Sequence, residues 1–186
     1  MIEVRECSKA FGSVKAVNKA TLDIGDREVF GLVGSNGAGK STLLRMMAGI
    51  IRPDAGEILI DTLPVYENED AKKLFFYISD DSYFPSNYTA TDMVRFYRNF
   101  YPEFRIKLFH ELMDQFHLEE RRKISTFSKG MKKQLLMIIG VCAATKYLFC
   151  DETFDGLDPV MRQAVKSLFA AEIMNREFTP VIASHN

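Results

Sequence analysis

The chain has 186 residues, which is long enough for one domain with a real hydrophobic core, alone or with an embedded subdomain. Its formal net charge of −1 excludes the strongly basic balance typical of nucleic-acid-binding proteins, so we expect no nucleic-acid partner. No apolar run approaches the roughly 18–20 residues that cross a bilayer, the N-terminus lacks a signal-peptide pattern, and the three cysteines are odd in number. We therefore expect a cytoplasmic protein whose cysteines are reduced core residues.

The N-terminal part of the chain predicts strands separated by turns and one helix. Apolar and polar residues alternate at 2–5 and at 20–24, which predicts two half-exposed strands. Short apolar runs predict buried strands, and a run of helix-forming residues follows a glycine-rich segment. These further elements are buried strands at 29–33 and 73–79, a strand at 57–61, and a helix that opens at 41–47.

The middle and the C-terminal parts of the chain differ from each other. Apolar side chains recur at helical spacing from Ala90 to Ala144, so we predict only helices in this region. Apolar runs at 147–150 and 181–183 predict buried strands again, with an amphipathic helix between them. The pattern predicts an α/β fold that is interrupted by an all-helical insertion.

One glycine-rich segment fits the pattern G-x-x-x-x-G-K-[ST] of a phosphate-binding P-loop. In such a loop the glycines let backbone N–H groups surround a polyphosphate, the lysine reaches the β- and γ-phosphates, and the hydroxyl is a ligand for Mg²⁺. A predicted strand before it and a helix after it supply the expected context, whereas the glycine spacing does not fit a Rossmann loop. A nucleoside triphosphate is therefore predicted to bind Gly34, Ser35, Asn36, Gly37, Ala38, Gly39, Lys40 and Ser41.

Two acidic residues follow the predicted strand at 147–150. Asp151 stands at the carboxyl end of that strand, where it can hold Mg²⁺ directly or through water. Glu152 is one residue further, where a general base would point toward the γ-phosphate. An ordinary acidic turn is the alternative, and the P-loop upstream favours the catalytic interpretation.

Two further segments have both a structural and a functional interpretation. Residues 155–159 read Asp-Gly-Leu-Asp-Pro, which fits a tight turn with Pro159 at the first position of a helix. Ser128 precedes an apolar helical run and is a good N-cap. A hydroxyl and a glycine, here Gly130, at a helix N-terminus also attract phosphate, and spacing alone does not decide between these two roles.

The order of these motifs along the whole chain resembles that of the ATP-binding cassette (ABC) ATPases of transporters. The resemblance implies a P-loop core with a mostly parallel sheet, N-terminal antiparallel strands and an inserted helical subdomain. It also implies a single ABC ATPase domain, with its core at 1–79 and 146–186 and the helical subdomain at 80–145. The implied cofactors are ATP and Mg²⁺, and the implied partners are a second ABC subunit, in a head-to-tail dimer, and a transmembrane permease.

The resemblance also implies roles for individual residues. Lys40 and Thr42 belong to the Walker A loop, Asp151 is the Walker B aspartate, and Glu152 is the catalytic base. The residues implied at the other sites are the switch histidine His185, the adenine-stacking Phe11, and Ser128 and Gly130, which would touch the γ-phosphate bound to the partner.

The chain departs from the family pattern at several positions. The signature Leu-Ser-Gly-Gly-Gln is Phe-Ser-Lys-Gly-Met at 127–131, a variant that looks like bacterial drug- or antimicrobial-peptide-export cassettes. Asp80 stands in the place of the Q-loop glutamine, where its carboxylate could still bind Mg²⁺. Thr153 replaces a proline, and the chain ends soon after His185, so we expect a domain that is truncated there.

These observations predict an ATP-hydrolysing subunit that powers a separate permease, most simply an exporter, on the inner face of the cell membrane. Two alternatives remain open. One is a nucleotide-gated dimerisation module with little hydrolysis, which Asp80 and the altered signature favour. The other is an ABC protein that acts outside transport, which the near-neutral charge does not favour.

Overall fold

The structure is a computed structural model that describes residues 1–81 and 83–185. The described residues form two sheets and a set of helices, and strands occur toward both ends of the chain. The strands are β1 (Ile2–Phe11), β2 (Val14–Ile24), β3 (Phe30–Val33), β4 (Ala55–Ile60), β5 (Leu63–Pro64), β6 (Phe75–Ile78), β7 (Tyr147–Asp151) and β8 (Thr179–Ser184). The helices are α1 (Lys40–Met47), α2 (Glu69–Lys72), α3 (Ala90–Arg98), α4 (Ile106–Gln115), α5 (Lys129–Cys142) and α6 (Pro159–Asn175).

The first sheet is antiparallel and has the strand order β2-β1-β4-β5. The alternation at 2–5 and 20–24 correctly predicted two strands, and both are longer than predicted. Ile2 pairs with Ile24 on one side and with Ile60 on the other, so its side chain is fully buried. The half-exposed character was also predicted correctly, because more and less accessible residues alternate at 2–5 and at 20–24.

The second sheet is parallel, with the order β3-β8-β7-β6, and all of its strands were predicted. Because the strands are parallel, their carboxyl ends meet at one edge, where α1 also begins after β3. The predicted burial of the strand at 29–33 is wrong, because none of these residues is buried. β3 is an edge strand in the described residues, and Val33 is 73% exposed.

The predicted helical region contains α3, α4 and α5, together with a short 3₁₀ turn at Ile124–Thr126. α3 begins with a capping box in which the Thr89 hydroxyl and the Asp92 side chain bond each other's backbone N–H. α5 approaches the parallel sheet closely at Gly140, where an added Cβ would lie 2.8 Å from Leu148 Cδ1 on β7. This glycine lets the helix backbone lie directly on the side chains of the sheet.

Two clusters of buried apolar side chains lie on the two faces of the parallel sheet. The larger one joins α3, α4, α5 and α6 to residues of β6 and β7 such as Phe76 and Leu148. The second one joins the antiparallel sheet and α1 to the opposite face, which includes Phe149. The boundaries predicted at 80 and 145 stay a prediction. Cys7, Cys142 and Cys150 are buried and free, as predicted, and no helix of the described residues has the length and hydropathy of a membrane span.

Candidate active site

The P-loop lies between β3 and α1, and its lysine is folded back onto the loop. Lys40 Nζ donates to the carbonyl oxygens of Gly34 (2.8 Å) and Ser35 (3.0 Å), and the residue is only 8% exposed. These two bonds hold the ammonium group at the centre of the loop. The positive end of α1 and the lysine charge therefore act at the same place, which suits a phosphate group.

The glycine before Lys40 is required by its surroundings. Gly39 is the N-cap of α1, with a left-handed φ of 87°, and a Cβ there would lie 2.1 Å from the carbonyl oxygen of Ala16. Ala16 and Val17 of β2, with Lys40, border a cavity of about 390 Å³ beside the loop. β2 therefore approaches the P-loop so closely that only a residue without a side chain fits between them.

Asp151 at the end of β7 is the centre of a hydrogen-bond network. Its side chain is buried, and a buried carboxylate is costly unless it is paired. The Ser41 hydroxyl donates to Oδ1 at 2.7 Å, and the Tyr77 hydroxyl donates to Oδ2 at 3.0 Å. Arg45 Nε lies 3.8 Å from Oδ2 and supplies a balancing charge. The structure thus brings together Ser41 and Asp151, two of the three predicted ligands of Mg²⁺, whereas the third, Asp80, contacts Lys133.

The oxygen atoms of these two residues fit the requirements of Mg²⁺. The ion prefers a small number of carboxylate and hydroxyl oxygens together with water and phosphate oxygens. Ser41 Oγ and Asp151 Oδ1 already point at each other across 2.7 Å. Ser41 and Asp151 would therefore hold Mg²⁺, while the Tyr77 hydroxyl bonds the other carboxylate oxygen, Oδ2.

Tyr77 and Arg45 are contacts of Asp151 that the sequence analysis missed. Burial raises the pKa of Tyr77 to about 12, and its contact with Asp151 acts in the same direction, so the hydroxyl stays a donor at neutral pH. The sequence could have predicted that Arg45 lies near Asp151, because Ser41 and Arg45 are four residues apart and share one face of α1. Tyr77 could be found only by aligning β6 with β7.

The structure also brings together Glu152 and His185, the predicted base and switch histidine. Glu152 has a left-handed φ of 48°, and its N–H donates to the carbonyl oxygen of Ala183 at 3.0 Å. His185 Nδ1 lies 2.9 Å from Asp155 Oδ2 and 4.0 Å from Glu152 Oε2. Left-handed backbone is uncommon in a residue with a long side chain. The Asp155 contact was not predicted.

Three other predicted residues make contacts outside the Asp151 network. Asp80 Oδ1 is 3.3 Å from Lys133 Nζ, and its side chain is 54% exposed. Ser128 caps α5, since its hydroxyl accepts the Met131 N–H at 3.2 Å, and it is exposed. Phe11 lies at the end of β1, half exposed, with Lys9 Nζ 5.8 Å from its ring centre. The roles assigned to all of these residues remain predictions.

These features define a P-loop nucleotide-binding domain, and comparisons with known proteins give its class. Residues 17–155 match the family model described as "ABC transporter". The chain is 35% identical over 185 residues to the ABC transporter ATP-binding protein YtrB of Bacillus subtilis, covering 100% of this chain and 63% of that protein. It is 27% identical over 188 residues to the bacitracin transport ATP-binding protein BcrA of Bacillus licheniformis, covering 100% of this chain and 61% of BcrA.

A solved structure shows the same fold. The dimeric ATP-binding cassette MJ0796, in a post-hydrolysis state with ADP and Pi, aligns with a TM-score of 0.87 at 20% identity, over 100% of this chain and 88% of that one. The chain therefore belongs to the ABC transporter family and has the fold of its ATPase domain, as the sequence predicted. It spans about three fifths of the length of YtrB and of BcrA.

Proposed function

We propose that the protein binds and hydrolyses Mg·ATP to drive transport through a separate permease. The observation that carries this proposal is the bond between Ser41 of the P-loop and Asp151 of β7, beside Lys40. A phosphate-binding loop alone fits many proteins. A hydroxyl and a carboxylate held together at the end of such a loop fit the chemistry of a metal-nucleotide complex.

The chain's own residues divide the work of hydrolysis. Lys40 exchanges its bonds to the loop carbonyls for the β- and γ-phosphates, and the backbone N–H groups of the loop and of the α1 N-terminus hold the remaining phosphate oxygens. Glu152 orients the attacking water and receives its proton, and His185 steadies charge on the γ-phosphate. Bound Mg²⁺ would supply charge neutralisation at the β- and γ-phosphate oxygens.

A second ABC subunit completes the site in this proposal. Ser128 and Gly130 begin α5 at the surface, where their N–H groups and the serine hydroxyl can meet the nucleotide held by another copy. The fold is shared with a cassette whose structure is described as dimeric. We propose a head-to-tail arrangement, in which each P-loop faces the start of α5 of the partner.

A permease would bind the helical part of the chain, which carries exposed aromatic side chains. Phe96 on α3 is 46% exposed and Phe100, just after α3, is 60% exposed, and their ring centres are 5.2 Å apart. Large apolar side chains that are exposed together mark interaction surfaces. Such a complex would place the protein on the inner face of the cell membrane. We also propose export as the direction, which the signature variant at 127–131 supports.

Glu152→Gln tests the proposal. The amide keeps the size of the side chain but does not accept a proton, so we expect ATP turnover to fall about a hundredfold or more while ATP still binds. Steady-state phosphate release and a fluorescent-nucleotide titration measure the two quantities, and size-exclusion chromatography with ATP should show a trapped dimer. Glu103→Gln, an exposed glutamate of the helical part, is the matched control and should leave both quantities unchanged.

The outcomes separate the possible functions. Unreduced turnover by the Glu152→Gln protein would overturn Glu152 as the base. Absence of turnover by the unmodified protein, with and without its permease, combined with normal ATP binding, would favour a nucleotide-gated binding module.

A further inference from the structure

Lys133 on α5 bonds three acceptors, and no sequence motif pointed to it. Its Nζ lies 3.3 Å from Asp80 Oδ1, 3.0 Å from the carbonyl oxygen of Glu152 and 2.9 Å from that of Asp155. An ammonium group has three protons to donate, so these contacts use its full capacity. The side chain is only 18% exposed, and the two bonds to carbonyl groups are partly buried, which makes them stronger than they would be in water.

The two carbonyl groups belong to the turn that carries the base. In this turn the Asp155 N–H donates to the Glu152 carbonyl at 3.2 Å, and Glu152 itself has the left-handed backbone described above. Such a conformation costs about 1–2 kcal/mol for a residue with a side chain, so surrounding contacts must maintain it. The Lys133 ammonium fixes the Glu152 carbonyl, and with it the direction in which the glutamate side chain leaves the backbone.

Asp80 is the remaining acceptor of Lys133. This contact explains how the protein tolerates a carboxylate at this position. A negative charge beside the triphosphate would oppose binding of the nucleotide. The Lys133 ammonium balances that charge in place, since it lies between Asp80 and the Glu152 turn. In the described structure Lys133 contacts neither the predicted phosphate sites nor Asp151. Any effect of Lys133 on the reaction must therefore pass through the groups that it bonds.

Lys133 also belongs to the helix whose first residues would face the partner. It lies five residues after Ser128, on the second turn of α5. One side chain thus connects the start of α5, the segment that follows β6, and the turn after β7.

We propose that Lys133 is a positioning residue for ATP hydrolysis: its ammonium fixes the turn that carries Glu152 and neutralises Asp80. The proposal rests on the proposed function, because it assumes that Glu152 is the base. It predicts a loss in the chemical step rather than in nucleotide binding, since the P-loop contacts are separate from Lys133.

Lys133→Met keeps the aliphatic stem and removes the three donors. We expect kcat to fall about tenfold to a hundredfold, with KM and the affinity for a fluorescent ATP analogue changed less than threefold. Lys133→Arg, which restores a cation with several donors, should recover a substantial part of the lost kcat. Lys107→Met is the matched control, because Lys107 is a 94% exposed lysine of the same helical part and its variant should keep the full rate.

Three results would overturn the proposal: an unchanged kcat in Lys133→Met, a parallel fall in nucleotide affinity, or no recovery with Lys133→Arg. If Lys133→Met does not fold, Lys133→Gln and Lys133→Arg decide in its place, and equal rates in these two variants would overturn the role of the charge. Glu152→Gln measured alongside keeps the two proposals apart. Full turnover in that variant contradicts the base, whereas its loss together with a normal Lys133→Met protein contradicts only the positioning role.

Discussion

The P-loop and the start of α5 are both predicted to bind phosphate, but the structure prepares them to different degrees. At the P-loop, Lys40 and Asp151 are buried and each is held by two or more polar partners. At α5, Ser128 is exposed and its hydroxyl caps its own helix. Contacts within a single copy of the chain therefore hold the charged groups of the P-loop site in place, whereas the start of α5 is open. In the proposed dimer, the P-loop forms one wall of the site and the start of α5 of a second copy forms the opposite wall.

The largest effect, on both stability and nucleotide binding, is expected from a substitution that adds a side chain at Gly39 of the P-loop. Gly39→Ala forces a methyl group against the Ala16 carbonyl, at a left-handed backbone position. We expect a loss of roughly 3 kcal/mol in stability, or about 6–12 °C in Tm, because strain and overpacking add. Nucleotide binding should be lost as well. Gly37→Ala is the matched control, since Gly37 has a φ of 81° but open space at its Cβ.

The control separates the cost of the left-handed backbone from the cost of the steric contact with β2. Gly37→Ala carries only the backbone cost of about 1–2 kcal/mol, so its Tm should fall by about 2–8 °C. Circular dichroism melts of the two variants measure the difference. Equal melting temperatures would show that the contact with β2 does not confine the loop.

A smaller effect, which lowers turnover more than nucleotide affinity, is expected at the start of α5. Ser128→Ala removes the N-cap of α5, which costs about 1 kcal/mol in stability. Nucleotide affinity of the single copy should stay within about twofold, while turnover falls about a hundredfold because a donor to the γ-phosphate is lost. Ser125→Ala, an exposed serine of the adjacent 3₁₀ turn, is the control. A matching loss of affinity in Ser128→Ala would contradict the division of the site into two walls.

The smallest effect concerns the stability of the core that carries the P-loop. Burial alone would raise the pKa of Asp61, but hydrogen bonds from the Met1 ammonium, Lys146 and Tyr147 lower it to about 2. These bonds connect the turn after β4 with residues at the start of β7. They therefore join the antiparallel sheet to the parallel sheet.

The sign of the pH dependence follows from this lowered pKa. An unfolded aspartate titrates near about 3.9, so the stabilisation is fully present above about pH 4 and is lost as the pH falls through about 2. Asp61→Asn should lower Tm by about 2–4 °C at pH 7, since the side chain is partly exposed and screened. The gap to the unmodified protein should close toward pH 2. A constant gap, or an equal loss in the exposed control Asp114→Asn, would contradict the role of this network.

The sequence predicted those parts of the fold that depend on local pattern. Strand alternation, the P-loop, the Asp151-Glu152 pair and the helix that starts after Ser128 are each encoded in a few neighbouring residues, and each lies where it was predicted. The two-residue strand β5 and the single turn of α2 were missed, because elements this short have too few residues to show a period.

The contacts of the site that were not predicted depend on how elements distant in the sequence pack together. Tyr77 bonds Asp151 only because β6 lies beside β7, and Lys133 reaches Asp80 only because α5 crosses the end of that sheet. The incorrect burial of β3 has the same cause, since an apolar run does not reveal whether its strand lies inside a sheet or at an edge. The order of strands in a sheet is a property of the whole chain.

The close approach of α5 to the sheet at Gly140 has a mechanical consequence. A helix whose backbone lies against Leu148, Phe76 and Ile78 has no room to slide or roll, because packed interiors resist compression. We therefore expect the first turn of α5, where Ser128 is proposed to meet a partner's nucleotide, to move together with the sheet beneath it. α5 and the parallel sheet should therefore behave as one rigid unit at Gly140. A displacement at the exposed end of α5 should then reach β7, the strand that ends in Asp151.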